Sequence, residues 1–262
     1  MYIPRALEPV LVRAAAQFPA VVLTGPRQSG KTTLLRRLFG SIRYVSLEAP
    51  DVRAAASADP RGFLRAHAPP VILDEVQHAP DLLPYVKEAI DARRSERGQY
   101  LITGSQDLLL AERVTESLAG RAAMLRLLPL SFREAAGTPD ASFPWEVEDA
   151  RTPRFSYARS WPRLLRGGYP ELVAEDDRDA TLWHASYVQT YLERDVRSLR
   201  QVGDLTSFQS FLRALASRSA QLLNLNDLAR DLGVAVNTAK AWLSVLEATF
   251  QVFVLRPYFA NI

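Results

Sequence analysis

The stretch Gly25-Pro26-Arg27-Gln28-Ser29-Gly30-Lys31-Thr32-Thr33 decides how this chain is read. It satisfies the pattern G-x-x-x-x-G-K-[ST] in full, directly after the apolar run Ala20–Leu23 and directly before a helical pattern over Lys31–Phe39. Glycines at 25 and 30 let the backbone curl until successive N–H groups face one point, an anion nest at a helix N-terminus. Lys31 adds a point charge suited to the β- and γ-phosphates of a nucleotide, and the Thr32 hydroxyl is a hard oxygen suited to Mg²⁺. Gly25, Pro26, Arg27, Gln28, Ser29, Gly30, Lys31, Thr32 and Thr33 are therefore the candidate phosphate-binding residues, with ATP and Mg²⁺ as the expected cofactors.

A nest of this kind needs an acidic partner from another strand, and Val71-Ile72-Leu73-Asp74-Glu75 supplies one. Asp74 is expected to hold Mg²⁺ through water together with Thr32, and Glu75 to polarise the attacking water. An acid at that second position points to hydrolysis rather than binding alone. The next apolar run ends in Thr103-Gly104-Ser105-Gln106, where Thr103 and Ser105 are candidates to sense the γ-phosphate; an N-cap serine opening a helix is the competing reading. Arg121, after Ala119-Gly120, is a candidate charge-neutralising arginine within the chain or across a subunit interface, and Arg194, Arg197 and Arg200 compete for that role.

Further out, the first 136 residues alternate short apolar runs with helical patterns, the signature of a parallel α/β sheet flanked by helices. Strands are expected at Ala20–Leu23, Ile42–Leu47, Val71–Leu73, Tyr100–Thr103 and Ala122–Leu128, with helices within Val52–His67, Leu82–Arg93 and Leu108–Leu118. The run Ile42–Leu47, lying in sequence between the two motif strands, suggests the subclass with a strand inserted between them. Residues 137–202 read as a Pro- and acid-rich linker followed by a helical region. Residues 203–262 read as a winged helix-turn-helix, so the expected fold is a P-loop NTPase sheet, then an all-helical region, then that unit.

The chain has 262 residues, no cysteine, 48% hydrophobic and 23% charged residues, and a net charge of +3. This composition excludes a disulfide scaffold and a thiolate metal site and suits a cytoplasmic protein. No run approaches the roughly 20 apolar residues of a membrane span, so no membrane partner is expected. His67, His78 and His184 are isolated and show no metal-ligand spacing. Trp161, Trp183, Tyr187 and Tyr191 are expected in the core.

In the last sixty or so residues, Asn226–Leu232, a turn at Gly233 and Val234–Leu246 form a helix-turn-helix pattern, with Asn226 and Asn237 as expected N-caps. Ala239, Trp242, Leu243 and Leu246 make a core stripe, while Thr238, Lys240, Ala241 and Ser244 face outward. Gln251–Tyr258 is expected as the first strand of a wing. Arg213, Arg218, Arg230, Lys240 and Arg256 barely outnumber Asp204, Asp227, Asp231 and Glu247, a poor balance for phosphate contacts, so DNA is left open as a partner.

Taken together, the chain resembles prokaryotic AAA+-type ATPases with a winged helix and a C-terminal domain of unknown function. The stretches that carry this are Tyr2-Ile3-Pro4-Arg5, Gly25–Thr33, Leu73-Asp74-Glu75-Val76-Gln77, Ile102–Ser105, Leu118–Arg121, Leu128–Glu134, Gly167-Gly168-Tyr169-Pro170 and Tyr191–Val196. The resemblance implies a nucleotide-binding core, a helical middle and a winged helix. It also implies a further domain, similar in fold to restriction-type nucleases, of which this chain would lack most. The expected function is a Mg²⁺-dependent ATPase whose nucleotide state repositions the helical and winged-helix region. A homo-oligomer is one expected assembly. A nucleotide-binding switch or a DNA-binding regulator with little turnover is the alternative.

Overall fold

The computed structural model describes residues 2–105, 117–142, 146, 156–191, 196 and 204–257. The chain divides into two compact units, residues 1–178 and 179–262. The first is built on a five-stranded parallel sheet: β1 (Ala20–Gly25), β2 (Arg43–Ser46), β3 (Val71–Asp74), β4 (Tyr100–Ser105) and β5 (Ala122–Arg126), in the order β2-β3-β4-β1-β5. The strand lying between the two motif strands is thus β4, which follows both in sequence, and not Ile42–Leu47. That run forms β2 at the sheet edge, which corrects the sequence argument while keeping the inserted-strand order it predicted.

Strand side chains alternate across the sheet, and both sides are apolar because both are covered. Val22, Leu73 and Ile102 lie on one face with Val45, and pack against α3 (Pro50–Ala58), α4 (Pro60–Ala66) and α5 (Leu83–Ala92) through Ala56, Phe63, Leu64, Val86 and Ile90. Val21, Leu23, Ile72 and Leu101 face the other way, onto Leu11 and Ala14 of α1 (Glu8–Gln17) and Leu34 and Leu35 of α2 (Lys31–Leu38). Two helices replace the single one expected within Val52–His67. Pro60 fixes the backbone at the start of α4, and Asp59 caps it by accepting from the Gly62 N–H. The α1 helix was not foreseen.

Beyond β5, the short helix α6 (Phe132–Ala135) is opened by a capping box in which Ser131 and Glu134 exchange side-chain-to-backbone bonds. Helices α7 (Tyr157–Arg166) and α8 (Pro170–Ala174) follow. They belong to the first unit, where the Leu130 N–H donates to the Gly168 carbonyl at 2.6 Å, although this stretch reads as linker and helical region in the sequence. A Cβ at Gly168 would stand 2.3 Å from the Leu130 oxygen, so only glycine allows that approach. Trp161 is not core: it is 46% exposed and stacks on the exposed Tyr157.

The second unit holds α9 (Ala180–Tyr191), α10 (Leu205–Ala216), α11 (Leu225–Asp231) and α12 (Val236–Ala248). Its core centres on Trp242, whose ring meets Phe208 and Phe211 edge-on at 5.6 and 5.5 Å. Gly233, at φ +66°, makes the turn between α11 and α12, and Ala239, Trp242, Leu243 and Leu246 are buried as expected. The caps differ from the sequence reading: Asn224, not Asn226, accepts from two N–H groups ahead of α11, and Ala235 precedes α12 without a side-chain cap. No strand forms over residues 251–257, where Phe253 and Leu255 are 87% and 84% exposed; a strand needs a ladder partner, and these residues have none among the described residues. The remainder of the expected wing, 258–262, lies outside the described residues.

Candidate functional site

All five strands run the same way, so the loops that follow β1, β3 and β4 emerge together at the carboxyl edge of the sheet. This is the edge where ligands sit in open α/β folds. There the chain leaves β1 at Gly25 (φ +149°), passes Gln28 in the left-handed region (φ +60°) and enters α2 through Gly30 (φ +92°). The Lys31 side chain is buried and reaches back over this loop, its Nζ donating to the Gly25 and Pro26 carbonyls at 3.0 and 2.9 Å. Ser29 is buried, and its Oγ has no hydrogen-bond partner among the described residues. Pro26 is buried, Arg27 half-buried, and Gln28 and Thr33 exposed.

The acidic strand meets the loop directly. Thr32 Oγ1 lies 2.9 and 3.0 Å from the two Asp74 carboxylate oxygens. Thr103 Oγ1 donates to Asp74 Oδ1 and also accepts from the Glu75 N–H at 3.0 Å, so one hydroxyl ties both acids to β4. Glu75 itself sits in the left-handed region (φ +58°, ψ +49°), a conformation a non-glycine residue holds only when its surroundings fix it. Its carboxylate accepts from the Gln77 amide two residues on. Tyr44 Oη donates to Asp74 Oδ2 at 2.7 Å. Burial first, then this bond to Asp74, pushes the Tyr44 phenol up to about 12, so it stays a donor throughout the neutral range.

A third layer lies beneath the loop. Arg5 is buried and pairs through Nε with Glu134 Oε1 at 3.0 Å, while Nη1 donates to the Ser29 carbonyl at 2.9 Å and Nη2 to the Leu128 carbonyl at 2.5 Å. Burial favours the neutral form of Glu134, but backbone N–H bonds from Ser131 and Ala6, with Arg5 beside them, outweigh it and hold the carboxyl below its ordinary range. The Arg5 Nη1 and the Pro170 Cγ lie 3.9 and 3.8 Å from where a Gly30 Cβ would be. The Gly167–Pro170 turn therefore borders the loop.

Ser105 ends β4 opposite Gly25, at the same edge. Arg121 is elsewhere. It precedes β5 at the amino edge, where its carbonyl accepts from the Ala20 N–H, and its guanidinium is engaged by both Asp91 oxygens at 2.7 and 2.9 Å. The register Ala20↔Ala122 leaves the length of β1, about 17 Å at ~3.3 Å per residue, between it and Gly25. The expectation that Arg121 reaches this chain's own phosphates is thereby corrected. Gln106, Glu193, Arg194, Arg197 and Arg200 lie outside the described residues.

Sequence reasoning assigned no role to Tyr44, Arg5, Gln77 or Glu134. Glu134 carried a readable signal in the capping-box spacing Ser131-x-x-Glu134, whereas Tyr44 is one residue of an edge strand with nothing to mark it.

A parallel sheet in this order, with a glycine-rich turn and Lys31-Thr32 opening α2 beside Asp74, is the arrangement of a P-loop NTPase fold. Residues 17–136 match the family described as AAA domain, and residues 159–262 match a domain of unknown function (DUF8612). The chain is 34% identical over 254 residues to the uncharacterized protein Rv2008c of Mycobacterium tuberculosis, and equally to Mb2031c of Mycobacterium bovis. Those alignments take in 96% of this chain and 53% of each relative, so the chain spans about half the length of the curated relatives it matches. The fold is similar to that of the Walker-type ATPase PABY2304 of Pyrococcus abyssi, with a TM-score of 0.60, 17% identity, and coverage of 95% of this chain and 90% of that one. No helix among the described residues is long and apolar enough to cross a membrane.

Proposed function

We propose that the chain binds ATP with Mg²⁺ at the loop Gly25–Thr33 and hydrolyses it. The observation that carries this reading is the meeting of Thr32 with Asp74, a hydroxyl and a carboxylate within 3.0 Å beside a buried lysine. Two hard oxygen donors of this kind suit Mg²⁺, which takes one or two protein ligands and fills its remaining positions from water and phosphate. Among the described residues no cluster of three or more His, Cys, Asp or Glu could hold a metal by itself, which agrees with a cation held jointly with a nucleotide. When bound, Mg²⁺ would neutralise phosphate charge.

The roles of the protein groups follow from their placement. Lys31, whose ammonium is held over the loop by two carbonyls, is the cation for the β- and γ-phosphates. The buried Ser29 hydroxyl and the N–H groups at the start of α2 are donors for the phosphates. Glu75 is the group to orient and deprotonate water, its backbone locked by Thr103 and its carboxylate steered by Gln77. Thr103 links the metal-bearing acid to the base, so a change at either is felt by the other.

The nucleotide state is read out, in this proposal, through the Gly167–Pro170 turn. Pro170 borders Gly30, Arg166 fastens the turn by donating to the Leu172, Glu175 and Arg178 carbonyls, and the second unit begins at Asp179. The DNA-binding alternative gains no support from α12, whose only basic residue is the exposed Lys240. Equilibrium binding of a fluorescent ATP analogue tests the site. Wild type should bind in the presence of Mg²⁺, and Lys31→Ala should weaken binding by roughly tenfold or more, the worth of one charge-assisted contact to phosphate. Equal affinity in the two proteins would refute the assignment.

A further inference from the structure

Asp74 ends β3 with a strand on each side, and each neighbour sends a hydroxyl to its carboxylate. From β4, Thr103 donates to Oδ1; from β2, Tyr44 donates to Oδ2 at 2.7 Å. Thr32 faces both oxygens from the start of α2. The carboxylate is therefore bracketed by donors from the two neighbouring strands and approached by the loop hydroxyl.

Tyr44 is well placed to hold such a group still. It pairs in register with Ile72, two residues before Asp74 and on the same face, so its phenol runs forward along the sheet to reach Oδ2. The ring packs against the cluster containing Ile72, Leu34 and Leu35, and the Arg36 guanidinium of α2 lies 5.1 Å from its centroid. Phenylalanine would fill the same space. What the hydroxyl adds is a directed bond to the one carboxylate that faces Thr32.

We propose that Tyr44 is a positioning residue for the metal-bearing carboxylate. By fixing the rotation of the Asp74 carboxylate against Thr32, it sets how tightly Mg²⁺-ATP, as distinct from ATP alone, is held. The inference rests on the reading of Thr32 and Asp74 as Mg²⁺ residues. Partners that orient a metal-bearing group commonly account for about 10–100-fold in metal affinity. Tyr44 is one of three hydroxyls on this carboxylate, so the lower end of that range applies.

The test is a Mg²⁺ titration of fluorescent ATP-analogue binding, with metal-free binding in EDTA measured alongside. Tyr44→Phe should raise the Mg²⁺ concentration at half-saturation about tenfold while leaving metal-free binding and the melting temperature near wild type. Arg36→Gln, which removes the cation over the ring but keeps the hydroxyl, should leave the titration within about twofold. A double-mutant cycle with Asp74→Asn guards against a general packing defect: Tyr44→Phe should add nothing once the carboxylate is gone. A Tyr44→Phe titration that coincides with wild type, or a full additional loss on top of Asp74→Asn, would overturn the proposal. If wild type itself shows no Mg²⁺-dependent nucleotide binding, the reading of the site fails as well; if only the Tyr44 shift is missing, the site stands and the role of Tyr44 falls.

Discussion

Removing the charge from Glu134 is the sharpest test of how the loop is supported from below. The carboxylate accepts from Arg5 Nε at 3.0 Å, the Ala6 N–H at 2.9 Å and the Ser131 N–H at 2.7 Å, and the Arg5 and Glu134 side chains are only 6% and 7% exposed. Glu134→Gln keeps the shape but turns an NH₂ toward one of these donors and leaves the Arg5 guanidinium with neutral carbonyls alone. Breaking a buried pair from one side costs about 3–5 kcal/mol. In a body of this size each kcal/mol moves the melting temperature by about 2–4 °C, so a fall of roughly 6–20 °C is expected at pH 7 by circular dichroism. The pH dependence adds a second check. Because the folded carboxyl is held below its ordinary range, its contribution is complete above that range and is lost as pH falls through the depressed folded value. The gap between wild type and Glu134→Gln should therefore narrow in acid. A variant melting within about 1 °C of wild type at pH 7, or a gap that widens in acid, would refute the reasoning.

Three smaller predictions follow from local geometry. A Cβ at Gly25 would stand 2.1 Å from the Leu127 oxygen, a main-chain atom that cannot swing away, whereas at Gly30 it would find only ordinary contacts at 3.8 and 3.9 Å. Gly30→Ala should therefore cost about 1–2 kcal/mol from its left-handed φ alone, and urea denaturation should show Gly25→Ala to be clearly the less stable of the two. Tyr191→Phe, which removes the buried 2.7 Å bond to Thr249, should cost only about 0.5–1.5 kcal/mol, since Thr249 still donates to the Val245 carbonyl; a larger loss in urea would mean that tyrosine organises more of the second unit than this one bond.

The first unit was largely legible because its signals are local. Gly25–Thr33 names a turn and a helix start together, and the apolar runs around it can only be strands of a sheet buried on both faces. The sequence cannot say which strand inserts between β1 and β3, since that is decided when distant segments pair. The within-chain reading of Arg121 fails for the same reason, its distance from the loop being a property of register along β1 and β5. Tyr44 was invisible because its bond to Asp74 joins residues thirty apart, and Arg5 because its partner stands 129 residues away. In the second unit, helical periodicity marks the Trp242 stripe, but 251–257 shows how an apolar stretch with no ladder partner among the described residues imitates a strand. The N-caps erred by small shifts, since Asn224 and Asn226 are equally good caps on composition.

Hydrolysis directed by Glu75 is read out by phosphate release with saturating MgATP. Wild type should turn over, and Glu75→Gln should bind the nucleotide with similar affinity yet release phosphate about 10²–10⁴-fold more slowly, the usual worth of a positioned general base. Equal release rates for the two proteins would contradict it.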